Sequence, residues 1–195
     1  SKMQKIPVLF TNPDSNYNSF TEFDPWCEDR NAFLSDHRCA AVYHPPCRLF
    51  SRLRKFSAAP VDEKKCAFWS LAKVRQFGGI LEHPRSSTLW KDGNFNLSGH
   101  VDYYGGFLRS VNLSWFGFPA EKKTMLYFVG ISPRSLPAIP ISLVPPSHKI
   151  GSSRSDHTPE LLRSSRSETP IEMISYFLET IKIIQNERTF LRIRK

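Results

Sequence analysis

The chain has 195 residues, enough for one domain whose core needs no disulfide or metal to hold it. Its net charge of +9 favours an anionic partner: nucleic acid first, a nucleotide second, an acidic membrane third. Four cysteines without C-x-x-C or zinc-finger spacing argue against a disulfide framework and a zinc finger, and no apolar run approaches the ~20 residues of a membrane span.

Reduced thiols and a cytoplasmic location are therefore expected, and Ser1-Lys2 ahead of Met3 read as a cloning remnant. Residues 5–10 (KIPVLF) predict a first strand, and residues 12–23 lack periodicity and predict a loop. In residues 24–34 (DPWCEDRNAFL), Asp24 fits an N-cap and Pro25 a first helical position, so a short helix is expected. Residues 39–43 (CAAVY) predict a buried strand that runs into His44-Pro45-Pro46-Cys47. The clearest helix covers residues 61–77, with Cys66, Trp69, Leu71, Val74 and Phe77 at near-helical spacing and Gly78-Gly79 as its stop. Ile80 and Leu81 open a strand that ends at "EHP", which completes a β-α-β pattern and implies a parallel sheet. Residues 125–131 (MLYFVGI) predict another buried strand. Residues 132–159 are rich in proline and serine and predict an extended arm, part of it mobile. Thr169, Pro170 and Glu172 form a capping-box start for a last helix. Its basic end (NERTFLRIRK) reads equally as a solvated terminus or a phosphate-contacting tail.

The expected fold is α/β: a reduced, Rossmann-like, mostly parallel sheet flanked by helices. Residues 1–131 form its core, residues 132–166 an arm or reduced recognition segment, and residues 167–195 a C-terminal helix packing back, with a basic tail. Ligands of such sheets bind beyond the carboxyl ends of the strands. Two predicted strands end there on usable residues, one on Cys47 and one on Glu82.

The segment PPCRLFS (residues 45–51) resembles the P-C-x-x-F-S catalytic motif of DNA cytosine-5 methyltransferases. ILEHP (80–84) resembles that family's E-N-V motif. WFGFPAEKKTMLYFVGI (115–131) is similar to its Y-G-V-P-Q-x-R-x-R stretch and following strand, and SETPIEM (167–173) to its late L-T-P-R-E element. The four occur in the family's order. The chain also resembles small phage and prophage proteins that share HPPCR, GGxLEHP and EKxTxLYxVG.

The resemblance implies a thiolate at Cys47 adding to C6 of a pyrimidine, which turns the ring into a nucleophilic enamine, with Glu82 assisting at N3. It implies that Pro45 and Pro46 fix the loop, and that Lys122 and Lys123 lie near the site. Arg48, Arg52 and Arg54 supply positive charge that would depress the thiol pKa. It implies S-adenosylmethionine as cofactor, yet the family's Gly-rich F-x-G-x-G loop is replaced here by TNPDSNYNSF, which has no glycine. No metal is expected: zinc at Cys47, His44 and His83 lacks a fourth ligand of usual spacing.

His44 and His83 each flank a candidate catalytic residue, as acid-base helpers or as plain strand-end histidines. Ser51 and Arg48 fall within the same motif. The run CRLFSRLRKF offers Arg52, Arg54 and Lys55 to phosphates, or starts an amphipathic helix with a solvated basic face. Asp14, Asp24, Asp29 and Arg30 would hold a ribose or cofactor amine, or form a solvated face. Trp90, Trp115 and Phe116 are expected in the core. A Walker loop and a G-x-S-x-G elbow are absent. The leading expectation is a pyrimidine-base-modifying enzyme acting on DNA or a nucleotide. The alternatives are a non-catalytic nucleic-acid-binding or inhibitor protein of that fold, and a pyrimidine-nucleotide enzyme with a different one-carbon donor.

Overall fold

The computed structural model describes residues 4–27, 30–47, 63–151 and 157–193, and the side chains of the last helix as far as Arg188. In chain order the elements are β1 (Ile6–Leu9), β2 (Phe23–Trp26), β3 (Ala41–Tyr43), α1 (Glu63–Phe77), β4 (Gly79–Pro84), α2 (Leu89–Asp92), β5 (Phe107–Asn112), β6 (Lys123–Val129) and α3 (Ile171–Ile193). The strands form one mixed sheet in the order β2-β1-β3-β4-β6-β5. The pairs β1–β2, β1–β3 and β3–β4 are parallel, whereas β6 runs antiparallel to both β4 and β5.

Both faces of the sheet are covered, which is why its central strands read as continuous apolar runs. On one face Val8, Val42, Ile80 and Phe128 pack with Ile174, Phe177, Ile181 and Ile184 of α3. On the other, Leu9, Tyr43, Leu81 and Val129 pack with Ala67, Leu71 and Val74 of α1. Each fully buried side chain of this size contributes ~1.5–3 kcal/mol of burial free energy. The expected β-α-β unit is present as β3-α1-β4. Its start on β4 requires glycine: Gly79 has φ +125, and a Cβ there would lie 2.0 Å from the Ala41 carbonyl oxygen.

The helix expected over residues 24–34 is a strand followed by a 3-10 turn at Ala32–Leu34. Asp24-Pro25 imitates a helix start, but Pro25 sits opposite Val8 in an edge strand, where a missing N–H breaks no ladder. Strand β5 was not expected. Helix α3 begins at Ile171, and the Pro170 carbonyl accepts the first helical bond from Ile174 at 3.0 Å. The Thr169 carbonyl instead accepts from Asn16 Nδ2 at 2.9 Å, tying the helix start to the loop after β1. Trp90 and Phe116 are buried as expected, with Trp115 partly so. The described part of the arm has no helix beyond the turn at Arg163–Ser165. It touches the core through the His148 N–H on the Pro119 carbonyl and through Tyr176 Oη on the Pro137 carbonyl. Among the described residues no helix is long and apolar enough to cross a membrane, and all four cysteines are free.

Candidate functional site

Strands β1, β3 and β4 are parallel, so their carboxyl ends share one edge, and antiparallel β6 brings its first residues to the same edge. A cleft of about 660 Å³ opens there. Its walls are the segment after β1 (Phe10 to Tyr17), the loop after β3 (His44 to Cys47), Glu82 and Pro84 of β4, Lys122 before β6, Ser164 of the arm, Ser167 and Glu168 ahead of α3, and Met173 within it.

Side chains alternate along a strand, so Glu82 and His83 face opposite ways. Glu82 lines the cleft. Its Oε2 lies 3.0 Å from His44 Nδ1, and its Oε1 takes the Thr124 hydroxyl. Thr124 Oγ1 is also 2.9 Å from the His83 carbonyl. His44 Nε2 is 2.8 Å from the hydroxyl of Tyr17, which is fully buried. Burial by itself would raise the Glu82 carboxyl. The His44 hydrogen bond and charge, the Lys122 ammonium and the Thr124 hydroxyl outweigh it and bring the carboxyl down to about 2. Burial, and then the charge of Glu82, push the Tyr17 hydroxyl far above its ordinary range.

His83 points away and is fully buried. Its Nδ1 meets Ser87 Oγ at 2.7 Å, and its Nε2 meets the Pro46 carbonyl at 3.4 Å. The Pro46 carbonyl can only accept, so Nε2–H donates to it, and Nδ1 of the neutral ring accepts the Ser87 hydroxyl proton while Ser87 Oγ accepts from the Leu89 N–H at 3.0 Å. Burial keeps this imidazole neutral. His83 therefore anchors the loop that carries Cys47. Two prolines fix the φ angles of that loop and leave it two fewer N–H groups to satisfy.

Cys47 lines the cleft; the residue as a whole is exposed, while its thiol is largely desolvated. Its thiol was expected to be acidic, and it is the reverse. Burial of the thiol, then the carboxylates of Glu82 and Glu63, push its pKa up, and Lys122 offsets them only in part. The arginines expected to supply positive charge, Arg48, Arg52 and Arg54, lie outside the described residues, as do Ser51, Lys55 and Asp29.

The edge thus brings together Cys47, Glu82, His44, Pro45, Pro46 and Lys122 of the residues predicted to form the site. Lys122 also donates to the Arg166 carbonyl at 2.6 Å. Lys123 does not join them: it is exposed, pairs with Glu121 at 3.2 Å, and lines a separate groove with Arg85 and Lys149. Asp14 lines the cleft, whereas Asp24 is held by Arg30 at 2.7 Å on the edge strand. Tyr17 and Thr124 belong to the site and were not read from the sequence. Tyr17 comes from a stretch without periodicity, and Thr124 from the 115–131 segment, where it was not singled out.

No protein-family model matches this chain, nor does any curated protein or solved structure.

A Gly-rich cradle works by turning backbone N–H groups towards a ligand at a tight, open turn. After β1 the chain does the opposite. The Thr11 N–H bonds to the Trp26 carbonyl at 3.1 Å, and those of Ser15, Asn18 and Phe20 bond within the loop. The Phe10 ring packs edge-on against Phe33 and Trp69, with centroids 6.2 and 6.0 Å away. These residues do not fit the role of an S-adenosylmethionine cradle.

Proposed function

We propose that this chain is a reduced, Rossmann-like protein that binds a pyrimidine base of DNA or of a nucleotide in the cleft and adds the Cys47 thiol to C6 of the ring. One observation carries the reading. The cleft lies outside the carboxyl ends of β1 and β3, and it holds Cys47, Glu82 and Lys122 together. Leaving out the inserted antiparallel β6, the parallel strands run 2-1-3-4-5. In that order the chain reverses direction between β1 and β3, and such switch points are where open α/β sheets take nucleotide-like ligands. The net charge of +9 and the Lys122 ammonium suit a ligand with phosphate.

The step balances without a cofactor. The sulfur electron pair forms S–C6, the C5=C6 π pair takes up a proton at C5, and the thiol proton is the one consumed. Reversal restores both partners. Glu82 contacts the N3 edge of the ring, Pro45 and Pro46 hold the thiol in place, and His83 anchors their loop. A base within a duplex must be flipped out first, because C6 is stacked inside the helix. The proposed chemistry stops at the addition, since the loop after β1 does not fit the methyl donor.

The raised Cys47 thiol favours a second reading, a base-binding protein without chemistry. Mass spectrometry with single-stranded DNA carrying 5-fluorocytosine, with and without S-adenosylmethionine, separates the two. Fluorine cannot leave C5 as a proton does, so a completed transfer to C5 would lock the protein on the base. We expect a complex under native conditions that weakens in Cys47→Ala, and no cofactor-dependent adduct under denaturing ones. An adduct on Cys47 formed only with S-adenosylmethionine would restore methyl transfer. A complex unchanged in Cys47→Ala would leave binding alone.

A further inference from the structure

We infer that the cleft prefers a pyrimidine ring that carries a hydrogen on N3, the uracil type, over neutral cytosine. This rests on the reading above, in which Glu82 meets that edge of the ring. One chain of contacts limits where the protons can sit: Tyr17 Oη, His44, Glu82, Thr124 Oγ1 and the His83 carbonyl.

Tyr17 is fully buried, and burial keeps its phenol protonated far above neutral pH. A buried hydroxyl donates where it can, and the acceptor in reach is His44 Nε2 at 2.8 Å. With Nε2 accepting, the ring proton sits on Nδ1; with the ring doubly protonated, Nε2–H donates to Tyr17 Oη instead, and in both cases Nδ1–H donates to Glu82 Oε2 at 3.0 Å. Thr124 has one hydroxyl proton and two oxygen neighbours, Glu82 Oε1 and the His83 carbonyl.

Two arrangements complete the chain. In the first, Glu82 is a carboxylate that receives His44 and Thr124. In the second, Glu82 carries a proton on Oε1 and gives it to Thr124, which donates on to the His83 carbonyl. Lys122 lines the same cleft and decides between them, because its ammonium stabilises the anion and has no use for the neutral acid. Glu82 is then an acceptor with no proton to offer. Uracil presents N3–H to such a group. Neutral cytosine presents a lone pair there, so carboxylate and ring nitrogen would face each other without a proton between them.

The test is a calorimetric titration of the full chain at pH 7.5 with dUMP, dCMP and dAMP, repeated with the eight-residue strands of deoxyuridine and of deoxycytidine in case a polymer is needed. We expect the uracil ligand to bind about 10- to 100-fold more tightly than its cytosine counterpart, the effect of one charge-assisted hydrogen bond made or lost. Glu82→Gln presents both a donor and an acceptor, so the ratio should fall to within about threefold. Should that variant not fold, the wild-type ratio decides alone. Cytosine bound as tightly as uracil, or more tightly, overturns the inference and places the proton on Glu82 while leaving pyrimidine binding intact. Equal binding of dAMP, or no binding of any ligand, removes the pyrimidine reading itself and the inference with it.

Discussion

Two histidine–tyrosine pairs flank β3, one on each face of the sheet. Tyr43 ends the strand and points towards α1, where its hydroxyl meets His37 Nε2 at 2.7 Å. His44 follows it and points the other way, where its Nε2 meets Tyr17 at 2.8 Å. The pairs are alike in chemistry and differ in their third member. His37 Nδ1 closes on Ser35 Oγ at 2.6 Å, a neutral partner in a buried setting. His44 Nδ1 closes on Glu82, an ionised group on the wall of a cleft. The same imidazole serves packing where the chain ends on a hydroxyl. It orients a charge towards solvent where the chain ends on a carboxylate.

The sharpest way to break this comparison is to delete each imidazole. His37→Ala strands two buried hydroxyls, those of Ser35 and Tyr43, and opens a cavity. It should cost ~3–4 kcal/mol in chemical denaturation. His44→Ala lies at the cleft, where water can replace the lost partner, and should cost only ~1–2 kcal/mol. Equal costs would make the cleft pair a second packing device.

Acidification should separate the pairs next. Burial, and then the charge of Lys73, bring the His37 pKa down to about 4 from an ordinary 6.5. Between those values the unfolded chain takes up a proton that the folded chain refuses. Stability is therefore full above pH 6.5 and falls as the pH drops towards 4. Glu82 acts lower. Its contribution is full above pH 4.5 and is lost as the pH drops towards 2. Denaturation midpoints followed from pH 7 to 3 should show the first decline, and His37→Gln should lessen it, leaving the share of buried His83 and the lower decline.

A smaller effect reads the cleft from the thiol. Cys47 should alkylate with iodoacetamide more slowly at pH 7.5 than a free cysteine. Its rate should keep rising roughly tenfold per pH unit beyond pH 9, its ordinary pKa, because the thiolate is the nucleophile. Glu82→Gln removes a carboxylate that raises this thiol and should speed the reaction at pH 7.5, with peptide mapping to separate Cys47 from Cys27, Cys39 and Cys66. The smallest effect is that of Tyr17→Phe, which deletes one hydrogen bond and should cost ~1 kcal/mol.

The parts of the fold legible in the sequence were those with an internal period. Helix α1 shows its buried stripe and its glycine stop, and β1, β3, β4 and β6 show apolar runs because both faces of the sheet are covered. Strand β2 was hidden because Asp24-Pro25 suits a helix start as well as an edge strand, and only the pairing with β1 distinguishes them. Strand β5 was hidden because FLRSVN alternates too briefly to stand out. At the site, Cys47, His44 and Glu82 were legible because each sits at a strand end. Tyr17 and Thr124 were not, since what they do depends on register: β6 runs antiparallel to β4 and sets Thr124 opposite Pro84, within reach of Glu82. The thiol was expected to be acidic from Arg48, Arg52 and Arg54, which lie outside the described residues, whereas burial, and then the carboxylates that arrive from β4 and α1, raise it.

The measurement closest to the central claim is exchange of the C5 hydrogen of a pyrimidine in D2O, followed by proton NMR on dUMP and on a short single strand. Reversible addition of Cys47 to C6 places a solvent deuteron on C5 and then releases the ring. The account predicts loss of the C5–H signal with the wild-type protein, faster at higher pH and absent with Cys47→Ala. A pyrimidine that binds in the cleft yet keeps its C5 hydrogen, at every pH at which the protein stays folded, would contradict it.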